Sequence, residues 1–267
     1  MTPEETRARL LHRDGLMLII DKPAGVPVHR GPKGGANLED DFDALRFGLP
    51  RKPALAHRLD RDTSGCLVLG RHHKALERLG SLFKQGKIAK TYWALVEGAP
   101  EAEEGLIDLP LGRLDDQRGW WMKVDPAGQP SQTKWKICGR GTSQGRAVAW
   151  LELTPLTGRT HQLRVHCAAK GFPILGDRVY GSDRNTPIPL HLHARAIEVP
   201  ITKARPPVRV QAPVPAHMSA ALVACGWNPE TEPAQPAICG EGEETLSGDD
   251  RRIAAGAKNA NVTTQSK

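Results

Sequence analysis

Two short stretches of this 267-residue chain gather side chains that can do chemistry. The first is His57-Arg58-Leu59-Asp60-Arg61-Asp62-Thr63-Ser64-Gly65. It brings two carboxylates, three potential cations and two hydroxyls into a loop that leads straight into the apolar run Cys66-Leu67-Val68-Leu69. A carboxylate carried towards a core is costly unless a cation or hydrogen bonds hold it, so such a loop could present a nucleophile or a base. Taken alone, these residue types fit a solvated loop with a capping Thr-Ser-Gly turn better than a site, because perturbed ion pairs are often structural. The second stretch is Pro155-Leu156-Thr157-Gly158-Arg159-Thr160-His161-Gln162-Leu163-Arg164-Val165-His166. A strand runs into a Thr-Gly turn and then a helix start, which suits reception of an anion. On a helix from Thr160 to Lys170, the residues His161, Arg164 and Cys167 would share a face, and Arg164 could pair with a carboxylate from another loop. Polar residues on a helix surface would give the same spacing.

The elements around these stretches alternate without a regular strand–helix–strand rhythm. Thr2-Pro3-Glu4-Glu5 predicts a capped helix to about Leu11. Leu16 to Ile20 and Cys66 to Leu69 read as buried strands, with a short helical stretch around Leu38 to Phe47 between them. Leu76, Leu79 and Phe83 recur at helical spacing before Gly86, and Tyr92, Ala94 and Val96 alternate with Trp93, Leu95 and Glu97 as in a strand. Further strands are expected near Thr133–Cys138 and Ala147–Leu153, and the helix from Thr160 stops at Gly171-Phe172-Pro173. The class expected is α+β. From Gly226 onward there are seven acidic residues against four basic ones, which leaves a net +10 on residues 1–225. Such a surplus favours a polyanionic partner through counterion release. Residues 1–227 are read as one domain, and the Glu-, Gly- and Thr-rich stretch 228–267 as a disordered acidic tail.

No apolar run approaches a membrane span and no signal-peptide segment occupies Met1 to Arg13, so a cytoplasmic location is expected. The five cysteines, Cys66, Cys138, Cys167, Cys225 and Cys239, form no Cys-x-x-Cys pair, and reduced thiols are expected. His191 and His193 stand two apart with no third ligand in register, so structural roles are expected rather than a metal pair. Trp120-Trp121 could stack on RNA bases or pack a hairpin tip; the sequence leaves both open.

Taken together, the segments resemble a specific family. His57-Arg58-Leu59-Asp60-x-x-Thr63-Ser64-Gly65 is similar to the catalytic motif of the RluA-type RNA pseudouridine synthases. Upstream, Asp14-Gly15-Leu16 through Asp21-Lys22-Pro23-Ala24-Gly25 resembles that family's first motif, with Asp21 where many members carry Asn. Lys90-Thr91-Tyr92-Trp93-Ala94-Leu95-Val96-Glu97-Gly98 resembles its tyrosine-bearing strand. Thr157 to His166, then Gly176-Asp177-Arg178-Val179-Tyr180-Gly181 and Leu192-His193-Ala194, resemble its third block. Five matches in family order are far more specific than any one motif.

The resemblance implies a pseudouridine synthase fold with a mixed, largely antiparallel central sheet flanked by helices. It also implies isomerisation of uridine in a structured tRNA or ribosomal RNA; that reaction involves no redox change or hydrolysis, so neither cofactor nor metal is expected, and a monomer is the default expectation. Asp60 takes the place of the essential aspartate, which engages the target at the ribose C1′ or at the base. Tyr92 matches the tyrosine that stacks on that base and helps to handle protons. Arg164 matches the arginine that pairs with the aspartate, holding it ionised. Arg58 matches an arginine that fills space left by the flipped nucleotide, and Leu192 an apolar wall of the base pocket. Asp62 falls at a variable position, so a structural or solvent-facing role is expected rather than a glycosidase-like pair with Asp60. The thirteen residues before the first motif leave no room for the S4-type RNA-binding domain of some members, so RNA is expected to be gripped by the catalytic domain itself. The competing readings are a nucleic-acid N-glycosidase using Asp60 and Asp62, and an RNA chaperone that needs no Asp60.

Overall fold

A computed structural model describes residues 1–31, 34–115, 120–201 and 206–232. Cys239 and positions 233–267 of the expected tail lie outside the described residues. Thr2 caps α1 (Pro3–Ala8) reciprocally: its hydroxyl accepts from Glu5 N at 3.1 Å, and the Glu5 carboxylate accepts from Thr2 N at 2.9 Å. The helix ends at Ala8, short of the expected Leu11. Leu10 and Leu11 instead enter a strand, β1 (Leu10–Arg13), which pairs antiparallel with β2 (Met17–Lys22). Burial of both leucines in the sheet overrides local helix preference.

A 3-10 helix (Leu38–Leu45) buries Leu38, Phe42 and Leu45 against β2 and its neighbours. The chain then gives β3 (Ala54–Leu55), β4 (Ser64–Gly70), α2 (His73–Lys84) and β5 (Ala89–Glu97). β6 (Glu104–Asp108) leads to a separate two-stranded hairpin of β7 (Leu111–Arg113) and β8 (Met122–Val124). The long strands β9 (Gln132–Ser143) and β10 (Arg146–Pro155) follow, then α3 (Gln162–Ala169), β11 (Leu192–Val199), β12 (Val208–Gln211) and α4 (Ala216–Ala224).

Ten of these strands form one sheet, whose main path runs β1-β2-β4-β11-β5-β10-β9-β6, with β3 joined to β4 and β12 to β11. Every pairing is antiparallel except β4 with β11, so the sheet is mixed and largely antiparallel. The parallel step occurs beside the His57–Gly65 loop, where Ser64 and Gly65 lie opposite His193 and Ala194. Gly65 has φ +105, and a Cβ there would collide with the Ala194 carbonyl, so only glycine lets the two strands approach. β4 is buried along its whole length, as expected for a continuous apolar run at the centre of a sheet. Tyr92 on β5 packs against the apolar clusters on both sides of this junction.

The stretch 228–232, assigned by composition to the tail, makes specific contacts with the domain. Residues 228–232 form a 3-10 turn (Pro229–Thr231), and the Glu232 carboxylate accepts from buried Arg195 at 2.6 Å and from Trp227 Nε1 at 3.2 Å. A buried guanidinium in need of an anion holds this segment, a requirement that local composition does not show.

Candidate active site

The loop between β3 and β4 is pinned at several points, and Asp60 sits at its crest. Leu59 is buried in the core on one side, Thr63 and Ser64 on the other. The Thr63 N–H donates to the Asp60 carbonyl at 3.2 Å, closing a tight turn. Ser64 Oγ hydrogen-bonds His193 Nδ1 at 2.8 Å across the parallel step. His57 accepts from Val68 N at 3.0 Å and stacks on Phe83 with ring centroids 4.5 Å apart. Burial, helped by the charge of Lys90, pushes its pKa down to about 3, so it anchors the loop as a neutral acceptor.

Lys22 contributes a further anchor to which sequence reading gave no role. Its ammonium, fully buried, donates to the carbonyls of Pro23, Val26 and Arg61 at 2.7, 2.8 and 2.8 Å. One cation thereby ties the end of β2 to the residue after Asp60. Burial lowers its pKa to about 7 against the nearby negative charges of Asp62, Asp60 and Asp21. Three carbonyl acceptors need all three ammonium N–H groups, so the geometry is that of the charged form.

The Asp60 side chain keeps 29% exposure. It is therefore open to a substrate while its backbone is fixed. Facing it are two side chains from the second sequence stretch: Arg164 Nη1 lies 3.7 Å from Asp60 Oδ2, and His161 Nε2 lies 3.8 Å from the same oxygen. These are ion-pair distances without a hydrogen bond. Arg164 thus faces Asp60, the partner the resemblance implied, and it also holds a tighter partner, Asp177. Arg164 Nε and Nη2 each donate to Asp177 at 2.7 Å, a bidentate pair with both residues buried. Asp177 Oδ1 also accepts from the Val179 and Tyr180 N–H groups at 2.8 and 3.0 Å. Burial opposes the charge of Arg164, but hydrogen bonds and attraction from Asp177, with Asp60 adding to them, raise its pKa above the ordinary value. Asp177 thus holds the guanidinium by two of its nitrogens, and the third is left to face Asp60.

His161 does not lie on the α3 face where its spacing placed it. It is the residue before the helix, left-handed with φ 52 and ψ 17, while α3 begins at Gln162. That backbone swings the imidazole to Tyr180, whose Oη lies 2.8 Å from Nδ1 and accepts from Met122 N at 2.9 Å. Burial lowers the pKa of His161, opposed mainly by Asp60, so the ring is neutral. In the tautomer in which Tyr180 donates to Nδ1, the ring proton is on Nε2, the nitrogen 3.8 Å from Asp60. The other tautomer would turn a lone pair on the carboxylate.

Tyr92 is partly buried on β5, opposite Leu153 of β10. Burial, with the charges of Asp60 and Cys66 adding to it, raises its pKa above the ordinary tyrosine value, so it offers a protonated hydroxyl and an aromatic face. Leu192, the first residue of β11, is 3% exposed and belongs to the core cluster against which Tyr92 packs. Arg58 is exposed, two residues before Asp60. Asp62 is also exposed, as expected for a solvent-facing position. His191 Nδ1 bonds the Pro189 carbonyl at 2.8 Å and His193 bonds Ser64, so both are tied into structure.

The structure therefore brings Asp60, Arg164 and Tyr92 to one place, with Arg58 at its edge. It adds His161, Tyr180, Asp177 and Lys22. Asp177 and Tyr180 were quoted within a motif without a role, and their partners lie 13 and 19 residues away across a turn.

Comparison with known proteins agrees with this geometry. Residues 16–169 match the RNA pseudouridylate synthase family. An RNA pseudouridine synthase of Zymomonas mobilis is 44% identical over 210 residues, covering 78% of this chain and 94% of that protein. Ribosomal large subunit pseudouridine synthase C of Vibrio cholerae is 34% identical, over 80% of this chain and 68% of that one. Among solved structures, human RNA pseudouridylate synthase domain containing 4 superposes with a TM-score of 0.69 at 26% identity, covering 83% of this chain and 94% of that one. The domain containing 1 protein gives 0.66 at 30% identity, over 79% and 84%. With the family match, these relatives and the superposed folds in agreement, the chain belongs to the RNA pseudouridine synthases of the RluA type and is an RNA-modifying isomerase.

Proposed function

We propose that the chain converts one or more uridines of a structured ribosomal or transfer RNA to pseudouridine, with Asp60 as the carboxylate that acts on a nucleotide flipped out of the RNA fold. The observation that carries this reading is the placement of Asp60. It is a partly exposed carboxylate on a rigid crest, with an Arg164 nitrogen and the His161 Nε2 both just beyond hydrogen-bond distance. Tyr92 beside it offers a flat face for the uracil.

The reaction breaks the bond from C1′ to N1, turns the uracil, and joins C1′ to C5. The C5 proton leaves to solvent and N1 gains one, so the product is an isomer and no electrons are transferred. Asp60 can serve as nucleophile at C1′ or at the base, as carboxylates do in glycosyl chemistry. Flipping the nucleotide costs roughly a few kcal/mol, which stacking on Tyr92 and filling of the gap by Arg58 would offset. Arg164, locked by Asp177, sets a fixed positive charge 3.7 Å from the carboxylate. The relative named for the ribosomal large subunit supports ribosomal RNA as the first substrate to try.

The experiment is tritium release from ribosomal RNA and tRNA labelled at uridine C5, with wild-type and Asp60→Ala protein. Release by wild type alone supports the assignment. Release by both would remove Asp60 from the mechanism, and free uracil would mean that the bond to N1 is hydrolysed rather than remade.

A further inference from the structure

Trp120 is the one aromatic residue that the described structure leaves largely in solvent. It is 58% exposed, and no other aromatic appears among the exposed large hydrophobic residues described. The remaining tryptophans are absorbed by packing. Trp93 meets Trp150 and Trp227 edge-to-face at 4.7 and 6.5 Å, Trp135 packs on Phe172 at 5.6 Å, and Trp121 is partly buried. A single exposed apolar side chain is ordinary by itself, so what bears on function is where this indole sits.

Trp120 precedes β8 in the β7–β8 hairpin, where the Leu114 N–H donates to the Trp121 carbonyl at 2.8 Å and the Met122 N–H donates to Tyr180 Oη at 2.9 Å. The root of the side chain is thus clamped to the site. Its ring meets His161 at 5.5 Å and 79°, and Trp121 at 5.6 Å and 74°. Both contacts are edge-to-face, so neither neighbour covers it by parallel stacking. His161 is the same ring whose Nε2 lies 3.8 Å from Asp60. The exposed indole is therefore one imidazole away from the reacting carboxylate. Exposed Arg113 and Lys123 lie on the same two strands and form no ion pair among the described residues. An exposed aromatic ring on a hairpin that also carries exposed cations is the pattern that holds unpaired bases and their phosphates.

We propose that Trp120 is a stacking platform for an unpaired nucleobase of the substrate RNA next to the target uridine, distinct from the uracil that lies on Tyr92. The platform rests on the RNA-modifying activity assigned above. It makes substrate binding depend on an unpaired base beside the target.

The test compares wild type with Trp120→Ala and Trp120→Phe. KM and kcat are measured for tritium release from C5-labelled ribosomal RNA and tRNA, and dissociation constants by fluorescence anisotropy with end-labelled transcripts of the same RNAs. Loss of one base stack should raise KM and the dissociation constant of Trp120→Ala roughly 5- to 100-fold, and Trp120→Phe should recover most of this. The effect falls on binding rather than on kcat, and the melting temperature holds. Unchanged affinity in Trp120→Ala overturns the proposal, as does a loss that Phe does not restore. A fall in melting temperature that accounts for the change would instead make Trp120 a packing residue of the hairpin. If wild type releases no tritium, the anisotropy comparison still decides the platform while the activity assignment fails separately.

Discussion

Replacing Asp177 by Asn should damage both the stability and the chemistry of this protein, although Asp177 touches no substrate. The change keeps the side chain's shape and leaves an oxygen for the Val179 and Tyr180 N–H groups, but it removes the charge that faces Arg164. Arg164 is 5% exposed and makes two 2.7 Å hydrogen bonds to Asp177, so the variant leaves a buried guanidinium without its matched anion. Breaking a buried pair from one side costs about 3–5 kcal/mol. At roughly 2–4 °C per kcal/mol for a domain of this size, Tm should fall by about 6–20 °C. The pH dependence has a definite sign. Burial opposes ionisation of Asp177, but the hydrogen bonds and charge of Arg164 and the two backbone N–H groups outweigh it, so its folded pKa lies below the ordinary carboxylate value. A depressed folded pKa stabilises fully above the unfolded value, and that stabilisation is lost as pH falls through the lower folded one. Urea unfolding should therefore show the widest gap between wild type and variant at neutral pH, narrowing below about pH 4. In the folded fraction, Asp60 becomes the remaining carboxylate neighbour of Arg164, starting from 3.7 Å. Closing that distance would occupy the oxygen needed for substrate, and tritium release per folded molecule should drop with stability. A loss under about 1 kcal/mol at neutral pH would refute the reasoning, because the guanidinium would then be held by something other than Asp177.

Two further perturbations separate chemistry from scaffold. Tyr92→Phe removes a hydroxyl that makes no hydrogen bond among the described residues, so the urea midpoint should hold; if the hydroxyl carries a proton in the reaction, kcat should fall roughly 10²-fold or more with KM little changed. Lys22→Met leaves the carbonyls of Pro23, Val26 and Arg61 without their shared donor. It should cost about 2–4 kcal/mol by chemical denaturation and, through Arg61, loosen the Asp60 crest enough to lower kcat; a stable, fully active variant would mean that the crest is held from the core side alone.

The sequence made visible what can be written as order and spacing along one segment. The crest with Asp60, the alternating strand with Tyr92 and the turn before Arg164 were each recognisable locally, and the run of motifs tied them to one fold. Relations between segments were not visible. Arg164 is three residues from His161, which suggested a shared helix face, yet a left-handed backbone at His161 starts the helix one residue later and turns the ring to Tyr180. Arg164 was expected to pair with the carboxylate of the Asp60 loop, which it faces at 3.7 Å; its tighter bidentate bond to Asp177, beyond the Gly171-Phe172-Pro173 turn, was not visible. This changes the account of the site. An arginine in direct, bidentate contact with Asp60 would occupy both carboxylate oxygens and compete with the nucleotide for them. Held by Asp177, the same arginine keeps its charge 3.7 Å away, near enough to act on the carboxylate and far enough to leave its oxygens open. The second carboxylate leaves the site with an Asp60 side chain that is unspent on its arginine, and the sequence shows that second carboxylate only as one acidic residue within a motif.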